Sequence, residues 1–101
     1  MKLSETNIPK LRNVINESID ISNSSVSINT DIDRNKLEII LITNSNNTPN
    51  YTTTFNILFL STHITIDNLV SSIPTEIDKF YVYGQIYKLI ELLNNSPRLY
   101  I

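Results

Sequence analysis

Apolar positions in the first fifth of the chain recur at helical spacing. The set is Ile8, Leu11, Val14, Ile15 and Ile19, which places one apolar face along an amphipathic helix. Asn7 stands where a helix N-cap is expected, and Pro9 is tolerated in a first turn. The pattern predicts a helix that ends near Asp20.

The middle of the chain has strand character in three stretches. Residues 26–32 alternate between apolar and polar, residues 37–43 are apolar on both faces, and residues 52–61 are rich in Thr, Phe and Ile. A tight turn at 33–35 and a polar loop at 44–50 separate them. Short connections between consecutive strands predict an antiparallel meander of three strands.

Helical spacing returns after the third predicted strand. Ile66, Leu69, Val70 and Ile73 fall at i, i+3, i+4 and i+7, which predicts a short helix. Thr65 is its expected cap, and Pro74 is expected to end it.

The stretch FYVYGQIYKL, residues 80–89, holds the only glycine of the chain and four of its eight aromatic residues. Its first residues suit a strand, whereas Ile86, Leu89 and Leu93 have helical spacing that Val82 extends backwards. We therefore predict a single helix that spans residues 76–94, in preference to a strand followed by a shorter helix. Pro97 ends it, and residues 99–101 are a candidate short extra strand. The predicted fold is α+β in one domain, 1–101, with an N-terminal helix, a three-stranded meander, and a short and a longer C-terminal helix.

Composition narrows the function classes. The net charge of −2 argues against a nucleic-acid surface and against a basic membrane patch. No apolar run is long enough for a membrane span or a signal peptide, so a cytoplasmic protein is expected. The absence of alanine and the abundance of isoleucine and asparagine indicate an AT-rich gene. Such a gene fits a viral or mobile-element product, or an ordinary gene of an AT-rich cell.

Chemistry-bearing motifs are weak in this sequence. Ser61, His63 and Asp67 are neighbours on one segment, whereas a catalytic triad brings its groups together from separate elements. Asp31 and Asp33, with Glu38 across the hairpin, are expected to form a solvated face. With no cysteine and one histidine, a metal site is not expected. A non-enzymatic protein without cofactor is the expectation.

The predicted sheet has apolar residues on both faces. If the helices cover the face that carries Leu37, Ile39, Leu41, Phe55, Ile57 and Phe59, then four aliphatic residues face the other way: Ile40, Ile42, Leu58 and Leu60. Such a patch is typical of a partner site or a second layer. The C-terminal segment is one candidate cover, and a second copy of the chain in a homodimer is the other.

A second candidate surface lies on the predicted C-terminal helix. Phe80, Tyr83 and Tyr87 fall on one face beside Gly84, and a helical glycine suggests close approach of another backbone. Two alternatives compete with this contact surface. In one, the aromatic rings pack on the chain's own sheet as part of the core; in the other, Gly84 lies in a turn between a strand and a helix. These surfaces favour a small protein-binding module, such as an inhibitor or adaptor acting on a host protein. A structural or chaperone-like homodimer is the alternative, and a nucleic-acid-binding accessory protein is a third.

Overall fold

The computed structural model describes residues 2–19, 24–44 and 50–101. Within these residues the elements follow the order helix, four strands, helix, and a short 3-10 helix comes last. Their bounds are α1 (Ile8–Ser18), β1 (Ser24–Asp31), β2 (Lys36–Thr43), β3 (Tyr51–Phe59), β4 (Ile64–Ser71), α2 (Glu76–Asn95) and the 3-10 helix Pro97–Leu99.

Helix α1 buries the predicted apolar face. Leu11, Val14 and Ile15 are buried. Asn7 is at the N-cap position, but its side chain makes no capping bond within the helix. Instead its amide oxygen accepts a hydrogen bond from Ser4 N at 2.9 Å, so it orders the segment before the helix. Asp20, the predicted end, lies outside the described residues.

The sheet is an antiparallel meander with the strand order β1-β2-β3-β4. The predicted meander is confirmed, but it has four strands rather than three. Helix α1 contacts β1 and helix α2 contacts β4, and together they cover one face of the sheet. The six residues predicted on that face, Leu37, Ile39, Leu41, Phe55, Ile57 and Phe59, are all at most 2 % exposed. The polar loop predicted at 44–50 lies mostly outside the described residues.

The short helix predicted over Ile66 to Ile73 is wrong, because this segment forms β4. A β-bulge explains the misleading spacing. The pairing with β3 shifts register between Thr54 and Asn56, and Asn68 has a φ of 53°. One extra residue at a bulge changes the phase of an alternating pattern, so Ile66 is followed on the core side by Leu69 instead of residue 68. Thr65, the expected cap, pairs with Leu58.

Helix α2 confirms the prediction of one helix over 76–94 and extends it to Asn95. The extra strand predicted at 99–101 is wrong. The segment after α2 forms a 3-10 turn that contacts α1 and α2, and Tyr100 is buried in the core. The Tyr100 hydroxyl donates a hydrogen bond of 2.7 Å to Leu93 O, one of the last carbonyls of α2, which lack partners within the helix.

Two asparagine side chains hold the connections in place. Asn35 ends the β1–β2 turn with a φ of 56°. Its side-chain oxygen accepts a hydrogen bond from Leu3 N, and its side-chain nitrogen donates a hydrogen bond to Phe59 O. Asn94 joins α2 to the start of β4, because its amide accepts from Ile64 N at 2.8 Å and donates to Ile64 O at 2.9 Å. The two ends of the chain are therefore tied to the sheet by side-chain bonds to backbone.

Among the residues that the structure describes, no helix combines the length and the apolar character that crossing a bilayer requires.

Candidate functional site

Helix α2 has two apolar faces. The inner face consists of Val82, Ile86, Leu89 and Leu93, each at most 3 % exposed, as the helical stripe predicted. These residues recur every three or four positions, so they lie along one side of the helix and pack on the sheet. This side of α2 therefore supplies all the fully buried residues of the helix.

The opposite side of α2 exposes four large apolar side chains. Ile77 is 84 % exposed, Phe80 61 %, Tyr81 56 % and Tyr87 58 %. An aromatic side chain has about 200 Å² of surface, so the three rings together expose roughly 350 Å². With Ile77 added, this apolar area reaches the size at which a patch on a protein surface is commonly functional.

We call this side of α2 the outward stripe. Successive members are three or four residues apart, the spacing that keeps side chains on one helical face. Its members are Ile77, Phe80, Tyr81, Gly84, Tyr87, Lys88 and Glu91. The apolar side chains occupy its N-terminal two thirds, and one lysine and one glutamate occupy its C-terminal end.

The aromatic group predicted from the sequence is divided by the structure. Phe80 and Tyr87 lie on the outward stripe, whereas Tyr83 is partly buried and packs against the core. The Phe80 and Tyr83 rings still contact, with centroids 6.4 Å apart and planes tilted by 57°. Ile77 and Tyr81 were missed by the sequence reasoning, although their positions seven and three residues before Gly84 place them on the stripe.

Gly84 lies in the middle of the outward stripe. Helix α2 is continuous on both sides of it, so the alternative of a strand-to-helix turn at this residue is wrong. A Cβ atom built on Gly84 would meet nothing within 4 Å. No part of the described chain therefore approaches Gly84 closely, and space remains open over the helix backbone at this point.

The other face of the sheet carries the second predicted surface. Ile40, Ile42 and Leu58 are partly buried there, and Leu60 lies beyond the end of β3 and is 41 % exposed. The alternative in which the C-terminal segment covers this face is wrong for Ile40, Ile42 and Leu58, because that segment packs on α1 and α2. Only Leu60 lies near it, in a surface pocket shared with Pro97 and Tyr100.

The register divides this sheet face into separate apolar areas. A row of polar residues from all four strands, Asn29, Glu38, Asn56 and Asp67, crosses the face. The row separates Ile40 and Ile42 on one side from Leu58 on the other. The four aliphatic residues therefore do not form the contiguous patch that the sequence suggested, and α2 carries the more continuous apolar surface.

The residues considered for catalysis are dispersed. His63 is exposed in the β3–β4 turn, where its Nδ1 is 2.9 Å from Thr62 Oγ1, and Asp67 lies in the middle row of the open sheet face. Asp31 ends β1 beside Arg34, Asp33 lies in the turn rather than on the strand, and Glu38 pairs with Asn29. Within the described ranges no group of three or more His, Asp or Glu residues is placed to hold a metal ion.

Comparison with protein-family models, curated proteins and solved structures finds no match for this chain.

Proposed function

We propose that this protein is a small non-catalytic protein-binding module whose contact surface is the outward stripe of α2. The proposal rests on one observation: a helix that already buries one complete apolar face exposes four more large apolar side chains on the opposite face. Exposure of such residues to water is unfavourable by about 25 cal/mol per Å² of apolar surface, and a partner that covers them removes this cost.

The residue types support protein binding in particular. Tyrosine is enriched at protein interfaces because its ring gives a large contact area and its hydroxyl stays hydrogen-bonded to water or to polar groups. Tyr81 and Tyr87 are both more than half exposed. Lys88 and Glu91 at one end of the stripe add the polar rim that commonly borders an interface.

As part of the proposal, the module acts as an inhibitor or adaptor on a host protein and is encoded by a virus or mobile element. The support for this origin is the isoleucine- and asparagine-rich, alanine-free composition. Sequencing of the genomic neighbourhood tests it, since viral or mobile-element genes are expected beside this one. A surrounding housekeeping operon would refute the origin without touching the binding surface.

A comparison of two double variants tests the contact surface. Phe80→Ser with Tyr87→Ser removes two rings of the stripe. The matched control, Leu60→Ser with Val70→Ser, removes two exposed apolar side chains, 41 % and 65 % exposed, that do not belong to the outward stripe. All four residues are exposed, so both variants are expected to keep a thermal midpoint within a few degrees of the parent.

The two variants and the parent are immobilised and exposed to lysate of the source cell, and bound proteins are quantified by mass spectrometry. We expect a protein captured by the parent to be lost with the α2 variant and retained with the control. Equal capture by the parent and the α2 variant would refute the proposal. Loss with the control variant alone would place the contact on the sheet side of the molecule instead.

A further inference from the structure

We infer that a second copy of this chain occupies the outward stripe, as an antiparallel pair of α2 helices that cross at Gly84. This inference rests on the proposed function, which assigns protein binding to the outward stripe. The inference adds the identity of the bound partner, a second copy of the chain.

Gly84 gives the first reason. A glycine inside a helix is unfavourable compared with alanine, so it is expected where a side chain would obstruct something. Nothing in the described part of the chain is obstructed, because the position of its Cβ is open and Gly84 lies inside α2. What a side chain would obstruct must therefore come from outside. Packed helices lie 8–10 Å apart, at the shorter end of that range when small residues are at the contact.

The arrangement of the stripe about Gly84 gives the second reason. Its members stand three, four and seven positions away on both sides: Ile77, Phe80 and Tyr81 before, and Tyr87, Lys88 and Glu91 after. A two-fold axis through Gly84 sets the part of the stripe beyond the glycine against the part before it in the other copy, with the edge of Phe80 and Tyr87 facing the same edge of the second copy. The stripe is therefore suited to pair with itself.

Charge and ring contacts select the antiparallel orientation. In it, Tyr87 lies against Phe80 of the second copy, an aromatic pair, and Lys88 lies against Tyr81 of the second copy, where its ammonium can contact the ring face. In a parallel pair Lys88 would meet Lys88 and Glu91 would meet Glu91. Like charges set opposite each other disfavour that arrangement.

The buried area is sufficient for a specific dimer. The exposed parts of the three rings contribute roughly 350 Å² per copy, or about 700 Å² for the pair. Ile77, the open backbone at Gly84 and the aliphatic stems of Lys88 and Glu91 add to this. Complete burial of all these groups brings the total towards the low end of specific interfaces, about 1,200 Å².

Disulfide trapping tests the geometry, because the chain contains no cysteine. Gly84→Cys places one thiol per copy at the crossing point, where the two are within the ~7 Å Cα separation that a disulfide spans. Because the added side chain weakens the association, oxidation is carried out at protein concentrations well above the dissociation constant of the parent, where the pair still forms and the disulfide traps it. Glu91→Cys is the matched control. In the antiparallel pair its two copies are displaced along the helix axis by about 21 Å, from fourteen residues at 1.5 Å each. We expect rapid oxidation to a covalent dimer for Gly84→Cys only.

Sedimentation equilibrium of the full chain measures the association itself. We expect a reversible monomer–dimer equilibrium whose dissociation constant rises at least tenfold in Gly84→Leu. It should remain within about twofold of the parent in Gln85→Leu, which adds a leucine beside the stripe. Urea denaturation of both variants confirms that each is folded at the concentrations used.

A parent protein that stays monomeric at millimolar concentration overturns the inference, and so does a dimer that forms a disulfide through Glu91→Cys rather than Gly84→Cys. Failure of the proposed function is seen separately. A monomeric chain that still captures another protein through Phe80 and Tyr87 retains its proposed function without self-association.

Discussion

Replacing Gly84 by alanine is expected to stabilise the fold and to weaken self-association at the same time. Gly84 is in the interior of a 20-residue helix, where glycine is about 1 kcal/mol less favourable than alanine. The new methyl group meets no atom within 4 Å, so no steric cost offsets the gain. A change of about 1 kcal/mol moves the thermal midpoint of a domain of this size upward by about 4–8 °C.

The stability measurement must be made on the monomer, since dimerisation adds to apparent stability with protein concentration. Urea denaturation at sub-micromolar concentration, followed by far-UV circular dichroism, gives the free energy of unfolding from the midpoint and slope. Gln85→Ala is the control, because glutamine and alanine differ little in helix propensity.

A Gly84→Ala protein that is less stable than the parent at this concentration would refute the reading of Gly84 as an unobstructed helical residue. An increase in stability with unchanged self-association would refute the crossing point but not the account of the fold. We expect Gly84→Ala to raise the free energy of unfolding and also to raise the dissociation constant of the dimer.

Three further substitutions test the contacts that hold the fold together. Asn35→Ala should lower the free energy of unfolding by about 2–3 kcal/mol, because it removes two side-chain hydrogen bonds and puts alanine at a φ of 56°. Glycine adopts that φ easily, so Asn35→Gly should lose about 1 kcal/mol less, as measured by chemical denaturation. Asn94→Ala should lose about 1–3 kcal/mol by removing both bonds to β4, whereas the exposed Asn95→Ala should lose under ~0.5 kcal/mol. Burial raises the pKa of the Tyr100 phenol above its usual value of 10.0, so the neutral phenol is favoured in the fold. The contribution of the neutral Tyr100 to the free energy of unfolding is complete below pH 10 and is lost as pH rises through the pKa of the folded state. Tyr100→Phe should lower the free energy of unfolding by about 1 kcal/mol at neutral pH, and its stability should fall less than that of the parent in alkali. An equal fall in alkali for Tyr100→Phe and the parent would contradict this assignment.

Most of the fold could be predicted from local pattern. The strands β1 to β3 and both helices α1 and α2 were predicted from the spacing of apolar residues, because each of them buries one face against a single core. The central strand was recognisable because β2 is apolar on both faces. Val82 was sufficient to extend the helical spacing of the inner face of α2 back into the segment around Phe80 and Tyr83, where residue types alone suggested a strand.

Strand β4 could not be recognised because the spacing of apolar residues along the sequence does not reveal a β-bulge. The extra residue at Asn68 turned an alternating pattern into one with helical spacing, and only the pairing with β3 reveals it. Tyr100 is similar, because its burial depends on a 3-10 turn that brings it back to the end of α2.

The candidate site was predicted in part. Helical spacing places Phe80, Gly84 and Tyr87 on one face of a helix, but local spacing does not show how far that face is rotated from the core. Tyr83 therefore was grouped with the exposed rings although it packs inward, and Tyr81 was left out although it faces solvent. The rotation of α2 is set by its packing on the sheet, which is a long-range property.

The amide resonance of Gly84 offers the most direct test of the contact surface, since the chain has only one glycine and its signal serves as a reporter in the middle of the outward stripe. A series of two-dimensional ¹⁵N–¹H NMR spectra from dilute to concentrated protein follows this signal together with those of β2 and β3. We predict that the Gly84 signal shifts with concentration along with its neighbours on the stripe, while the signals of Ile40 and Ile42 stay in place. Association that shifts Ile40 and Ile42 and leaves Gly84 unchanged would contradict the central claim.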